Sequence, residues 1–218
     1  MLQLVCCSEL DAVRNGILRV CENGAVMERL ILGLAVFFGV HSISLLALGW
    51  RDRVAERLGK GTWQGIYSIA ALAGFYLLVT GYGAARASDA ALYATPPGFR
   101  YIAALLMLPA FSLALASVIP GRIRTAAQHP LLLATVLWAA AHLLTNGSVA
   151  DLLLFGTFLV WAVAVRISLQ QRPARPIRVL PGSPANDVIV VVGGLALYVI
   201  FILWLHIRWF GVSPLGAE

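Results

Sequence analysis

The sequence predicts an all-α, polytopic membrane protein, a bundle with six transmembrane helices. Its composition is 60% hydrophobic and only 12% charged, with a mean hydropathy of +0.85, which lies outside the range of water-soluble globular proteins. Apolar runs long enough to cross a bilayer recur along the chain, and its Asp and Glu residues lie in loops or at the ends of these runs. The lipid bilayer is therefore the expected partner.

The first three predicted spans are residues 30–48, 63–83 and 99–119, each close to the roughly 20 apolar residues that a membrane helix needs. The second carries a stripe of small residues that includes Gly74 and Gly81, which favours close packing against a neighbour. Between the first two spans, segment 50–60 alternates charged and apolar residues. This pattern fits a short helix on the membrane surface, or a solvated loop. Pro109 lies inside the third span and should kink it.

The last three predicted spans are residues 130–146, 149–168 and 188–210. Only Asn146, Gly147 and Ser148 separate the apolar runs of the fourth and fifth spans, so these two helices should form a tight antiparallel hairpin. A proline-rich polar stretch leads into the sixth span.

Three segments make up the expected domain organisation. Residues 1–26 are expected to be a disordered tail or the product of a misassigned start, with Met27 as the true start. Residues 27–212 form one six-helix transmembrane domain, and residues 213–218 a short tail. Cys6, Cys7 and Cys21 all precede the first apolar run and have no metal-binding spacing.

The basic residues predict the orientation of the chain. Of the 16 Lys and Arg residues, ten fall on the side that six spans assign to the loops after the first, third and fifth helices. The positive-inside rule places that side in the cytoplasm and both termini in the periplasm of a bacterial inner membrane. Because the basic residues are spread over short loops, without a basic face, we expect no nucleic-acid partner.

Histidine is the one intramembrane group with strong chemistry. His41 lies in an apolar run that contains no charged residue, and His142 lies in another. Ionisable groups in a membrane interior usually have a partner or a function. Two facing imidazoles would form the axial ligand pair of a haem b, with iron as the metal. A hydrogen-bonded packing role is the competing interpretation of each histidine taken alone.

The neighbours of these histidines suit such a site. Phe37 and Phe38 share the helical face of His41 and could wall a planar macrocycle. Thr135, Trp138 and Asn146 share the face of His142, and a hydroxyl, an amide or a backbone carbonyl across the bundle could accept the second ring N–H. The other two histidines favour structural roles. His129 precedes Pro130 and could cap the helix or contact a lipid or substrate head group, with the structural role favoured, and His206 fits an interfacial anchor.

Three segments carry a resemblance to the NnrU family of bacterial membrane proteins. They are GVHSISLLALGWRD at 39–52, GKGTWQGIYSIAALAGFYLLVTGYG at 59–83 and QHPLLLATVLWAAAHLLTNGS at 128–148, within a match over about residues 27–210. The family is similar to plant 15-cis-zeta-carotene isomerase, whose b-type haem is held by histidines. The resemblance implies that His41 of the VHS motif and His142 of the AH motif are the ligands. Ala139 stands where the plant enzyme has a cysteine implicated in ligand exchange.

The resemblance implies two functions, namely redox chemistry linked to nitric oxide and denitrification, or haem-dependent cis-trans isomerisation of a polyene. Either would require an open coordination position for nitric oxide or the polyene, whereas two fixed ligands favour electron transfer. Two other classes remain open. The HP motif at 129–130 also resembles membrane methyltransferases of the isoprenylcysteine and phospholipid type, although no Glu follows in 170–187. A non-enzymatic assembly protein would use the histidines for packing only.

Overall fold

The computed structural model describes residues 24–43, 45–88, 91–171 and 183–216. The expected N-terminal tail therefore lies outside the described residues except for its last three positions, and so do the three cysteines. Most of the proline-rich stretch before the sixth span, and the last two residues of the expected C-terminal tail, lie outside them as well.

The described residues are organised as helices joined by short connections. The helices are α1 Gly24–Ile43, α2 Leu48–Leu58, α3 Lys60–Ser88, α4 Phe99–Ala116, α5 Arg122–Ala127, α6 Pro130–Thr145, α7 Val149–Gln170, α8 Pro184–Ile200 and α9 His206–Phe210. A π-helical turn, Phe201–Leu205, joins α8 to α9 without a break in the helix. The all-α prediction is confirmed.

Five of these helical stretches are long and apolar enough to cross a membrane: α1, α3, α4, α7 and the continuous stretch Ala185–Phe210. The sixth predicted crossing, α6, is an apolar helix of 16 residues, or about 24 Å. The chain is thus a multi-pass helical membrane protein, and its helices are compatible with a lipid bilayer. The prediction of six spans therefore agrees approximately with five long apolar helices and the shorter α6.

Helix ends differ from the predicted limits where a local signal was missed. The helix of the first span is already formed at Gly24, ahead of the predicted start at residue 30, and Ala47 has non-helical torsion angles before α2. Segment 50–60 is largely helical, which favours the surface-helix interpretation over the loop. The last span begins at Pro184 because Ser183 caps the helix, with its side chain accepting from the Ala185 amide at 3.3 Å.

The described residues fall into two compact units. The first unit consists of the described residues up to 88 together with Ser148–Leu153, and the second of those in Ala91–Gly147 and from Leu154 onward. Helix α7 contributes its first turn to the first unit and its remaining length to the second.

In the first unit, α1 and α3 approach so closely that glycine is required at the contact. A Cβ atom added at Gly74 would lie 2.7 Å from the backbone nitrogen of Phe37, and one at Gly81 would lie 2.6 Å from that of Leu30. Gly33 of α1 faces the backbone of Leu78 in the same way. The small-residue stripe predicted on the second span, which is α3, is therefore a packing surface, and Leu30 and Leu78 are buried beside it.

In the second unit, α4 packs against α6 and α8 through small residues, and Ala103, Ala110 and Ala116 of α4 are buried there. Pro109 lies within α4, as the sequence predicts. Trp138 of α6 contacts Phe155 and Phe158 of α7 edge-on, with ring centroids 5.0 and 5.2 Å apart. The side-chain contacts across the Asn146–Ser148 connection confirm that α6 and α7 form the predicted hairpin.

Candidate functional site

His41 lies near the end of α1, half-buried in the first unit. Its Nδ1 atom is 2.7 Å from the carbonyl oxygen of Phe37, one helical turn earlier. The Phe37 ring lies against the imidazole with centroids 4.2 Å apart, and Tyr67 of α3 lies edge-on at 5.7 Å. The imidazole is therefore held in one orientation by its own helix and surrounded by aromatic carbon.

His142 lies near the end of α6, half-buried in the second unit. Its Nδ1 atom is 2.8 Å from the carbonyl oxygen of Trp138, again one turn earlier. The ring stacks on Phe155 of α7, with centroids 4.6 Å apart and planes inclined by 28°, and Trp138 lies at 5.1 Å. The local environment of His142 thus repeats that of His41 in a different unit.

The shared hydrogen bond assigns the tautomer of both rings. A carbonyl oxygen can only accept, so Nδ1 of His41 and of His142 must carry the proton and donate to it. In a neutral imidazole the lone pair then resides on Nε2, the atom that binds a metal. Donation from the other ring nitrogen also makes an imidazole a more basic ligand and fixes its plane.

The turn that carries His142 is tied down by polar groups. Asn146 donates to the His142 carbonyl from its backbone amide at 2.8 Å and from its side-chain amide at 2.9 Å. The Tyr93 hydroxyl lies 2.5 Å from the Leu143 carbonyl oxygen and 2.7 Å from that of Asn146. The Tyr93 hydroxyl thus lies within hydrogen-bond distance of the Leu143 carbonyl, at the end of α6, and of the Asn146 carbonyl just beyond it, where helix carbonyls lack partners of their own.

The predicted polar neighbours take up other roles around His142. The Thr135 hydroxyl donates to the Leu131 carbonyl of its own helix at 2.9 Å, and Thr145 lies 3.3 Å from the carbonyls of Ala141 and His142. The carbonyl that accepts from the imidazole belongs to Trp138, on the same helix rather than across the bundle. Asn146 therefore acts on the backbone of His142.

The predicted aromatic neighbours of His41 also separate by role. Phe37 supplies both the accepting carbonyl and the ring in contact with the imidazole. Phe38 is 8% exposed and meets Phe37 edge-on at 5.3 Å, so it forms part of the core of the first unit. Phe75 of α3 lies 6.4 Å from Phe37 and extends the same aromatic wall.

Sequence reasoning missed three aromatic residues of this candidate site: Tyr67, Tyr93 and Phe155. Each comes from another helix or loop than its histidine, so helical spacing around the histidines gave no signal for them. Of the three, only Phe155 could have been predicted from the sequence, because the predicted hairpin places the start of α7 against the end of α6.

The other two described histidines differ from this pair. His129 precedes α6, where its backbone carbonyl accepts from the amides of Leu132 and Leu133, but its side chain makes no capping hydrogen bond. Nδ1 of His206 lies 2.7 Å from the Val212 carbonyl, in an exposed position at the end of the last span. Its carbonyl partner lies outside its helix, in the segment that follows α9.

A second polar cluster lies in the first unit at the start of α7. Asp151, only 3% exposed, accepts from the Tyr82 hydroxyl at 2.7 Å and from the Ser148 amide at 3.0 Å. The Ser148 hydroxyl accepts in return from the Asp151 amide at 3.2 Å. This reciprocal pair is a capping box, so the carboxylate that the sequence placed at a span end is a buried helix cap.

The donor chemistry decides which metal group these residues fit. Among the described residues no three His, Cys, Asp or Glu side chains cluster as a metal site, so a metal ion held by protein atoms alone is not supported there. Paired imidazoles with aromatic walls are what an iron porphyrin needs, since the macrocycle supplies the remaining ligands. His41 and His142 each fit an axial ligand position.

Comparison with protein-family models gives a match to the model described as NnrU protein, over residues 29–214. This match covers most of the chain and includes both candidate histidines. Comparison with curated proteins and with solved structures gave no match.

Proposed function

Because the chain belongs to the NnrU family, we propose that it is a b-type haem protein of the membrane, in which His41 and His142 would hold the haem. One observation carries the proposal. Each histidine donates its Nδ1 proton to the carbonyl four residues earlier, at 2.7 and 2.8 Å, which assigns the lone pair to Nε2 in both rings. The sequence resemblance to a histidine-ligated haem enzyme supports the same pair.

The residues around each imidazole have distinct tasks in this proposal. The Phe37 and Trp138 carbonyls fix the planes of the two rings and strengthen them as electron donors. Phe37, Tyr67 and Phe155 surround the rings with aromatic carbon, which excludes water and suits an apolar macrocycle. Asn146 holds the backbone of the His142 turn through two hydrogen bonds.

When bound, haem b supplies one-electron redox chemistry and, with one axial position open, an iron site for nitric oxide or a polyene. The residues favour the redox role, linked to nitric oxide and denitrification as the family resemblance implies. Both imidazoles are anchored to their own helices, and Ala139, fully buried, provides no thiolate that could replace a histidine. Cis-trans isomerisation of a polyene is the alternative and requires one anchored histidine to leave.

Optical spectroscopy of the purified chain tests the ligand assignment. We expect a Soret band and a low-spin bis-imidazole spectrum in the wild type, with loss of haem or a high-spin spectrum in His41→Gly and in His142→Gly. Added imidazole should restore the low-spin spectrum in each glycine variant, because it can occupy the space of the deleted ring. His206→Ala is the matched control, since His206 also binds a carbonyl through Nδ1 and lies in a membrane helix.

Three results would contradict the proposal. A wild type without Soret absorption after expression with a haem supply would remove the cofactor and leave the assembly-protein interpretation. Binding of S-adenosylmethionine by such a haem-free protein would favour the methyltransferase class instead. Glycine variants that keep the wild-type spectrum would assign the iron to other ligands.

A separate measurement divides the two functional alternatives. Nitric oxide and a cis-polyene would be added in turn to the reduced protein. A redox role predicts a reversible one-electron midpoint with both ligands retained, and isomerisation predicts conversion of the polyene.

We further propose that the chain resides in a bacterial inner membrane with both termini in the periplasm, as the Lys and Arg distribution indicates. A C-terminal fusion to a reporter that folds only in the periplasm should be active. Activity of a cytoplasm-specific reporter at the same position would reverse the orientation.

A further inference from the structure

The connection between α5 and α6 contains a strained turn in the second unit. Gln128 has φ 58° and ψ −52°, and the His129 amide donates to the Ala127 carbonyl at 2.6 Å. These values describe a γ-turn with positive φ, a rare and strained conformation. Gln128 is the one non-glycine residue with positive φ in the described part of the chain. Such strain persists where the surroundings hold it in place.

Polar contacts hold both ends of the short helix before this turn. The Asp187 carboxylate accepts from the backbone amides of Arg122 and Ile123 at 3.1 and 3.0 Å. At the other end, Arg166 of α7 donates to the Ala127 carbonyl at 3.1 Å. Helix α5 is therefore a fixed element rather than a loose loop.

Three arginines belong to this element or contact it: Arg122 and Arg124 lie in α5, and Arg166 donates to its last residue, Ala127. Arg122 is exposed, and the other two are half-buried. In the ranges that the structure describes, none of the three forms an ion pair, and the nearby carboxylate of Asp187 is occupied by two backbone amides. Within the described part of the chain, these three guanidinium groups therefore carry positive charge that no ion pair compensates.

The position of this charge identifies its partner. Helix α5 joins the end of one apolar helix, α4, to the start of another, α6, which places it at the boundary between hydrocarbon and headgroups. The Lys and Arg distribution assigns this side to the cytoplasmic leaflet, where anionic lipids attract basic segments. We propose that α5 and its γ-turn bind the phosphate of anionic phospholipid headgroups through Arg122, Arg124 and Arg166.

Helix α2 provides an internal comparison, because the same orientation rule places it on the same side. It carries Arg51, Arg53 and Arg57, but Arg51 is paired with Asp52 at 2.5 Å. Glu56 adds a further negative charge to this helix. The proposal therefore assigns the lipid preference to α5 rather than to positive charge in general.

Native mass spectrometry of the full chain in detergent tests this site. Phosphatidylglycerol and phosphatidylcholine with identical acyl chains are added to wild type, to Arg122→Gln/Arg124→Gln and to the matched α2 variant Arg53→Gln/Arg57→Gln. Each cation near an anionic surface is worth about fivefold in affinity, so we expect phosphatidylglycerol binding to fall roughly twentyfold in the α5 variant. The α2 variant should change much less.

Several results would overturn the proposal. They are equal losses in the α5 and α2 variants, wild-type binding of the two lipids with equal affinity, or displacement of phosphatidylglycerol by millimolar inorganic phosphate, which would indicate a free-anion site. If the α5 variant fails to fold, the salt dependence of lipid binding by the wild type tests the site alone. Its phosphatidylglycerol binding must weaken between about 50 and 500 mM salt, since screening acts on exposed charges, and salt-independent binding would contradict the site.

Discussion

Asn146 donates two hydrogen bonds to the carbonyl oxygen of His142, one from its backbone amide at 2.8 Å and one from its side-chain amide at 2.9 Å. The backbone bond continues the helix, and the side-chain bond is added to an oxygen that is already engaged. The side chain of Asn146, the residue that follows α6, therefore holds the last turn of this helix. The imidazole of His142 is fixed to the Trp138 carbonyl one turn earlier, so hydrogen bonds hold this residue on both sides.

We expect Asn146→Ala to destabilise the protein by about 1 kcal/mol, the usual worth of one such hydrogen bond. The backbone bond to His142 remains, so the helix should persist and haem should still bind. Thermal unfolding in detergent measures the loss, and the haem spectrum reports on the ring. Asn186→Ala is a useful comparison, because Asn186 donates to the Pro120 carbonyl rather than to a histidine carbonyl. Asn186→Ala should also destabilise the protein. A change in the haem spectrum of this variant would contradict the assignment of that spectrum to the histidine turns.

Tyr93→Phe tests the tie between the loop that precedes α4 and the end of α6. The variant keeps the ring and removes the hydroxyl, which lies within hydrogen-bond distance of the Leu143 and Asn146 carbonyls. We expect a loss of about 1–2 kcal/mol in unfolding free energy, because two carbonyls lose a donor at a helix end. Tyr101→Phe is the control, since that ring is 61% exposed. Equal losses in the two variants would show that the Tyr93 hydroxyl contributes nothing specific.

Gly74→Ala tests the contact between α1 and α3. A methyl group would lie 2.7 Å from the Phe37 backbone nitrogen, so the helices must separate, at a cost of about 1–3 kcal/mol. Because the Phe37 carbonyl accepts from His41, the haem spectrum should change with stability. Gly83→Ala on the same helix has open space around it and should be neutral or stabilising by up to about 1 kcal/mol. Similar unfolding midpoints for the two variants would refute the close approach.

Asp151→Asn tests the buried cap at the start of α7. The amide keeps the shape of the side chain, but an NH2 group replaces one of the two oxygens, Oδ1 and Oδ2, that accept separately from Tyr82 and Ser148. We expect a loss of about 1–3 kcal/mol, because a buried donor loses its partner. The half-exposed Asp52, paired with Arg51, is the matched control. Asp52→Asn should cost less than about 1 kcal/mol, and a larger effect there than at Asp151 would contradict the ranking.

The features predicted from the sequence are those written within a single segment. The apolar runs indicated the membrane helices, and His41 and His142 were singled out because each is the one ionisable group within its run. Pro130 marked the start of α6 for a related local reason, since proline is favoured at the first position of a helix. Whether the two histidines share a haem stays a prediction.

The features that were missed depend on contacts between segments. Tyr67 and Tyr93 reach the histidine turns from elsewhere in the chain, and no spacing rule connects them with His41 or His142. The positive φ of Gln128 was equally hidden, because glutamine has no preference for it and the strain is held by Arg166 from α7. The start of the last span was misplaced because Pro184 was assigned to the preceding polar stretch, although Ser183 and Pro184 together form a helix start.

The π-helical turn Phe201–Leu205 changes how the end of the last membrane helix meets its surroundings. A π-turn accommodates one residue more than an α-turn, so everything beyond it is rotated by about 100°, the angle of one residue in an α-helix. A helical wheel drawn through Val190 and extended past Ile200 would therefore assign Trp204, Trp209 and Phe210 to the wrong sides. For this helix, lipid-facing positions chosen for labelling or cross-linking must be counted separately before and after the π-turn.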